Sequence, residues 1–219
     1  PISFTRMSLL DEILSDVEQG SDMWNKIRLG KFTSSEIHRL IFKKGALTDK
    51  ALKYIQEKAA EIMTGVPNNS FDNAATTWGH EQEPIAAKLF SEKTELELTE
   101  CGFVMLNEYF GGSPDRLIGV DGLIEIKCPF NSGNHVKHCM LKDQEDLKAE
   151  CPEYFYQIQS NLIVTERDYA FFVSYDPRNE KAPLFILLVK RDEKEIELIN
   201  NCVEKGIEEL KTILKKLAA

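Results

Sequence analysis

The chain has 219 residues, 42% of them hydrophobic, and a formal net charge of −9. That length supports one sizeable core, and no apolar run approaches the ~20 residues of a membrane-spanning helix. The acidic balance argues against a general nucleic-acid binder working through overall positive charge, but not against a nuclease whose metal site itself contributes acids.

The opening PISFTRMSLLDEILSD places acids early and has no continuous apolar segment, so a secretory signal is not expected there. Leu9 to Glu18 reads as a short amphipathic helix ending at Gly20. Thr33-Ser34-Ser35-Glu36 matches a capping box and opens a predicted helix through Ile41, which Lys43-Lys44-Gly45 breaks. Thr48 caps a second helix that runs to about Thr64 and stops at Gly65. Phe71 to Lys93 reads as mostly helical, with Gly79 and Pro84 as candidate breaks. Strands are predicted at Glu95–Leu98, Gly102–Leu106, Tyr109–Gly112, Arg116–Ile118 and Leu123–Cys128. Ser132 to Leu141 is a helix or loop, and Glu153 to Val164 has helical spacing. Strands recur at Tyr169–Tyr175 and Leu184–Lys190, and a long helix runs from about Glu193. Its acids, among them Glu197, Glu204 and Glu208, are most simply a solvated face.

This order of elements predicts an α/β layered core. With no repeat, low-complexity tract or linker, the reading is a single domain over 1–219. Within it, N-terminal helices (1–95) precede a sheet core (96–190) and a C-terminal helix (191–219). The five cysteines are widely spaced and none forms a C-x-x-C pair. A disulfide framework, a zinc site and an iron–sulfur cluster are therefore not expected, and a reducing cytosol is the natural setting. The four histidines have no metal-ligand spacing and are assigned exposed or supporting roles.

The segment GSPDRLIGVDGLIEIKCP, Gly112 to Pro129, carries the most chemical information. Alternation along its second strand puts Glu125 and Lys127 on one face and Ile124, Ile126 and Cys128 on the other. Charged side chains on one face of an apolar strand are costly to bury without a partner. A divalent cation held by Asp115 and Glu125, with Lys127 facing bound water or phosphate, explains them. A surface hairpin with alternating apolar and charged residues is the plainer alternative. Arg28, Thr33 and Ser35 form a second cluster. A guanidinium suits a terminal phosphate, and Ser35 falls in the first turn of the helix predicted after Thr33. Ordinary helix capping is the alternative there.

Six segments in order extend the pattern: EQGSDMWNKIRLGKFTSSEI (Glu18–Ile37), TTWGHEQEP (Thr76–Pro84), SPDRLIG (Ser113–Gly119), LIEIKCPF (Leu123–Phe130), YFYQIQSNLIVT (Tyr154–Thr165) and FFVSYDPR (Phe171–Arg178). With them the chain resembles the phage lambda exonuclease family, the YqaJ-like viral recombinases of the restriction-endonuclease-like, or PD-(D/E)XK, superfamily. The resemblance implies a central mixed β-sheet flanked by helices, and Mg²⁺-dependent 5′ to 3′ digestion of one strand of duplex DNA ends. It also implies a toroidal homotrimer and a 3′ overhang passed to a single-strand annealing protein in a bacterial cytosol. Two ions are implied, with Mn²⁺ as a possible substitute.

Carried over by residue, Asp115, Glu125 and the Ile126 carbonyl would ligate metal, with Glu83 reaching the second ion. Lys127 would orient or deprotonate the attacking water, and Gln157 would hold that water or a phosphate oxygen. Arg28, Thr33 and Ser35 would bind the 5′-phosphate, and Lys43 and Lys44 would follow the DNA backbone. Tyr154 is expected to pack rather than react. Family members can present an apolar residue just before the Trp-Gly, where this chain has Thr76 and Thr77. A related endonuclease and a DNA-end-binding scaffold with little catalysis are the alternatives.

Overall fold

The computed structural model describes residues 17–42, 46–68 and 74–218. The helix predicted at Leu9–Glu18 lies almost wholly outside these residues, as do Lys43 and Lys44. Seven α-helices are described: α1 (Asp22–Arg28), α2 (Asp49–Thr64), α3 (Ala74–Thr94), α4 (Ser132–Cys139), α5 (Gln144–Glu150), α6 (Pro152–Val164) and α7 (Glu193–Leu217). The strands are β1 (Phe32–Thr33), β2 (Leu98–Glu100), β3 (Val104–Asn107), β4 (Phe110–Gly112), β5 (Arg116–Ile118), β6 (Gly122–Lys127), β7 (Tyr169–Tyr175) and β8 (Leu184–Lys190).

Five strands form a mixed sheet in the order β2-β5-β6-β7-β8, in which only β6 and β7 run parallel. That parallel pair needs a crossover, and α4, α5 and α6 supply it. A three-stranded sheet, β1-β4-β3, packs beside α6. Period-two alternation gives β6 two different faces. Ile124 and Ile126 point toward Ala86, Ala87 and Phe90 of α3, with Val173 and Tyr175 of β7. Leu123 joins the larger core around α6, which includes Phe155, Ile158, Leu162 and Phe172. Glu125 and Lys127 share Leu123's face, so their charged groups look toward α6.

Helix α6 is buried without interruption from Phe155 to Val164, including Gln157, Gln159, Ser160 and Asn161. A helix covered all round must partner its polar side chains inside the protein. Two of those four, Gln157 and Asn161, bond to Glu125, while Ser160 bonds to Ser34 and Gln159 to Lys190 and Asp192.

Most local signals act as read. Thr48 Oγ1 accepts from the Ala51 N–H, and Gly65 closes α2 in the left-handed region at φ 69°. Other expectations need correction. Ser34–Arg39 is a six-residue 3₁₀ helix, and Thr33 makes no side-chain cap. Glu36 pairs with Arg39 at 3.0 Å instead of closing a capping box. Gly79 and Pro84 do not break α3, which runs continuously through both. His135 and His138 are core residues rather than exposed ones: the Nδ1 of each lies 2.8 Å from Ser174 Oγ. Helices α1 and α5 and strand β1 had no strong periodic signal, being seven, seven and two residues long.

Candidate active site

The antiparallel pairing of β5 with β6 sets Arg116 opposite Ile124. Asp115, one residue before β5, therefore reaches the end of β6, where its Oδ2 accepts a 2.5 Å hydrogen bond from the Ile126 N–H. Glu125 is 1% exposed. Its Oε1 accepts from Lys127 Nζ at 2.7 Å and from Gln157 Nε2 at 2.6 Å. Its Oε2 accepts from Asn161 Nδ2 at 3.0 Å. Lys127 Nζ also donates to Gln157 Oε1 at 3.2 Å and lies 5.0 Å from the centre of the Tyr154 ring. Tyr154, Gln157 and Asn161 recur at helical spacing, so one face of α6 meets the charged face of β6.

One cleft, about 150 Å³, is lined both by Asp115, Glu125, Lys127 and Gln157 and by Arg28, Thr33 and Ser35. Arg28 lies 3.7 Å from the Trp24 ring centre and its Nη2 donates to Ser35 Oγ at 3.3 Å. Thr33 Oγ1 is 3.3 Å from Ser35 Oγ. Among the described residues no carboxylate is within ion-pair distance of Arg28. Burial lowers the Arg28 guanidinium from its ordinary value, with Tyr54, Glu36 and Glu61 acting against that shift. A partly buried cation with no carboxylate at ion-pair distance among the described residues is prepared for an anion. Because the 3₁₀ helix is short, Arg28 and the two hydroxyls carry this pocket rather than a helix dipole.

Burial pushes both site carboxyls up to about 7. At Asp115 the charge of Glu83 adds to burial, and at Glu125 the charge of Asp115 does. Lys127 opposes both shifts. Burial alone would lower the Lys127 ammonium, but the charges of Glu125 and Asp115 and its hydrogen bond outweigh burial, so the net direction is up. Two carboxylates and the Ile126 carbonyl form an oxygen donor set suited to a hard divalent cation, which would relieve that repulsion. Glu83 acts on Asp115 through its charge. It is ion-paired to Arg116 Nη1 at 3.1 Å, and among the described residues no three His, Cys, Asp or Glu side chains converge as a metal cage. Glu83 and Arg116 line a larger cleft of about 490 Å³, which shares Gln19 with the smaller one. Size does not identify the site here. The buried charges do.

Sequence reading missed Asn161, Trp24 and Ser113. Trp24 Nε1 donates to Ser113 Oγ at 3.0 Å, which ties α1 to the segment before Asp115. Ser113 directly precedes Pro114-Asp115, a usable signal. Asn161 had none, because a polar residue at that helical position reads equally well as exposed.

The raised carboxyls have a measurable consequence. Folded Asp115 and Glu125 titrate near 7 against ordinary values of 3.8 and 4.5. The folded chain thus holds protons that the unfolded chain has already released. Their contribution to stability is complete below about pH 4 and is lost as pH rises through 7. Without metal, the thermal midpoint is expected to fall between pH 5 and pH 8 relative to that of Asp115→Asn. Added Mg²⁺ should recover more of it at pH 8 than at pH 5. A wild-type-to-variant gap that stays constant with pH would contradict this.

The profile of the YqaJ-like viral recombinase domain matches residues 23–168. No curated protein gives a match. Among solved structures, the chain is similar to an alkaline exonuclease (LHK-Exo) from Laribacter hongkongensis. Identity is 32%, with 90% of this chain and 96% of that chain covered and a TM-score of 0.78. A second structure of LHK-Exo, in complex with dAMP, matches at the same identity and coverage with a TM-score of 0.77. A phage-related exonuclease from Haemophilus somnus 129PT matches at 21% identity, covering 85% of this chain and 96% of that one, with a TM-score of 0.71. That last likeness bears on the fold alone. No helix among the described residues is long and apolar enough to cross a membrane.

Proposed function

Because the chain belongs to the YqaJ-like viral recombinase domain family, we propose that it is a divalent-metal-dependent exonuclease digesting the 5′-ended strand of linear duplex DNA. Its mixed sheet flanked by helices is the restriction-endonuclease-like fold of the alkaline exonucleases. One observation supports the reading most directly. A guanidinium with no carboxylate at ion-pair distance among the described residues and a buried Asp-Glu-Lys cluster line one small cleft. A terminal phosphate on Arg28, Thr33 and Ser35 would place a neighbouring phosphodiester against Lys127.

Asp115, Glu125 and the Ile126 carbonyl would hold the metal, which when bound supplies Lewis-acid polarisation and an activated water. Lys127 enters as an ammonium ion, a donor to the scissile phosphate that balances its developing charge. Gln157 fixes both Glu125 and Lys127, and its amide can share a water or phosphate oxygen. Glu83, freed from Arg116, would reach a second ion. Mg²⁺ is the expected metal, with Mn²⁺ as substitute.

With a net charge of −9, a lone subunit would hold DNA weakly, whereas a closed ring retains it by enclosure. A homotrimer that passes its 3′ overhang to a single-strand annealing protein is the corresponding assembly. The test uses linear duplexes labelled at the 5′ or the 3′ end, and closed circles, in Mg²⁺. Loss of the 5′-labelled strand's end first, no attack on circles and a solution mass near three chains are expected. Cleavage of circles would instead indicate an endonuclease, and digestion from 3′ ends would reverse the proposed polarity.

A further inference from the structure

Asn161 is 0% exposed and sits between the carboxylate cluster and the small sheet. Its Nδ2 donates to Glu125 Oε2 at 3.0 Å. A carboxylate only accepts, so the amide nitrogen must be the end that meets it. The other end, Oδ1, is buried and has no hydrogen-bond partner among the described residues. It lies against Gly112, where a Cβ would come within 2.5 Å of it and would also strike Ser34 Oγ. Gly112 is therefore small enough to admit this amide. Ser160, the preceding residue on α6, donates to Ser34 Oγ at 2.9 Å, which locks the helix in this register.

A half-satisfied amide is a poor structural element. Burying an unpaired acceptor is destabilising, and a leucine, branched at the same carbon but without polar atoms, would avoid that penalty. Among the described residues, the only hydrogen bond its side chain makes in return is to Glu125. Among the described residues the two oxygens of Glu125 are thus held by different partners, Oε1 by Lys127 and Gln157 and Oε2 by Asn161.

We propose that Asn161 is a positioning residue that holds Glu125 in its metal-binding orientation at the expense of fold stability. The inference rests on the metal site of the preceding section. Outer hydrogen-bond partners of metal ligands typically change metal affinity by about 10–100-fold when removed.

The test is Mn²⁺ binding, read by electron paramagnetic resonance without DNA, together with the metal-free thermal midpoint. Asn161→Leu is expected to weaken Mn²⁺ binding at least about tenfold, with an unchanged or raised midpoint. A structural role alone predicts a lowered midpoint with normal Mn²⁺ affinity. If Asn161→Leu does not fold, Asn161→Ser carries the same test: it is smaller than the native side chain and one bond too short to reach Glu125. Wild-type affinity in the folded variant overturns the inference while leaving the metal site intact. A wild-type protein that binds no Mn²⁺ overturns both.

Discussion

Asp115→Asn and Lys127→Ala are each expected to reduce digestion of linear duplex DNA by about 10²–10⁴-fold, the range over which a positioned charge or proton-transfer group contributes. The two variants should differ in every other respect. Asp115→Asn keeps the side chain's shape and can still accept from the Ile126 N–H. It removes a charge that burial and Glu83 already disfavour. The metal-free protein should therefore become more stable at pH 8 while losing activity. Lys127→Ala removes the counter-charge of a carboxylate that is 1% exposed. Breaking such a pair costs about 3–5 kcal/mol where nothing replaces the partner. This variant should unfold earlier without metal and recover part of the loss when Mg²⁺ is added. Rates and melting curves on the same preparations check both outcomes. A folded Asp115→Asn protein with near-normal turnover would remove Asp115 from the reaction.

Arg28→Ala should erase most of the advantage of a 5′-phosphorylated end over a 5′-hydroxyl end. A charge-assisted hydrogen bond contributes about 1.5–3 kcal/mol, so a 10–100-fold preference is on the order of what one guanidinium can supply. The variant should leave the rate on hydroxyl ends nearly unchanged, because Arg28 contacts Ser35 and Trp24 and none of Asp115, Glu125 or Lys127. Arg28→Lys should give an intermediate preference, since an ammonium keeps the charge but loses the planar stack on Trp24 and the paired donors. Single-turnover digestion of matched ends measures this. A full phosphate preference in Arg28→Ala would assign that phosphate to other groups.

The sequence by itself determined the parts that depend on local geometry. Alternation along Gly122–Lys127 put Glu125 and Lys127 on one face, and the structure turns that face toward α6. Thr48 and Gly65 bounded α2 because a cap and a left-handed glycine act within a few residues. The six ordered motifs identified the family, which the profile match and the alkaline exonuclease structures bear out. Only the tertiary structure decided the rest. Thr33-Ser34-Ser35-Glu36 satisfies a capping box on paper, yet Arg39 takes Glu36 and the segment tightens into a 3₁₀ turn. Glu83 lies on the expected helix and its charge acts on Asp115, but its carboxylate is ion-paired to Arg116, a partner 33 positions away that no local pattern reveals. Asn161 and Ser160 look like ordinary helix polar residues until α6 is buried, when they become the contacts to Glu125 and Ser34. Ser34 and Ser160 are 126 positions apart. Hydrophobic periodicity and caps act over one or two turns, whereas hydrogen bonds across such a separation exist only after the two sheets and α6 have packed together.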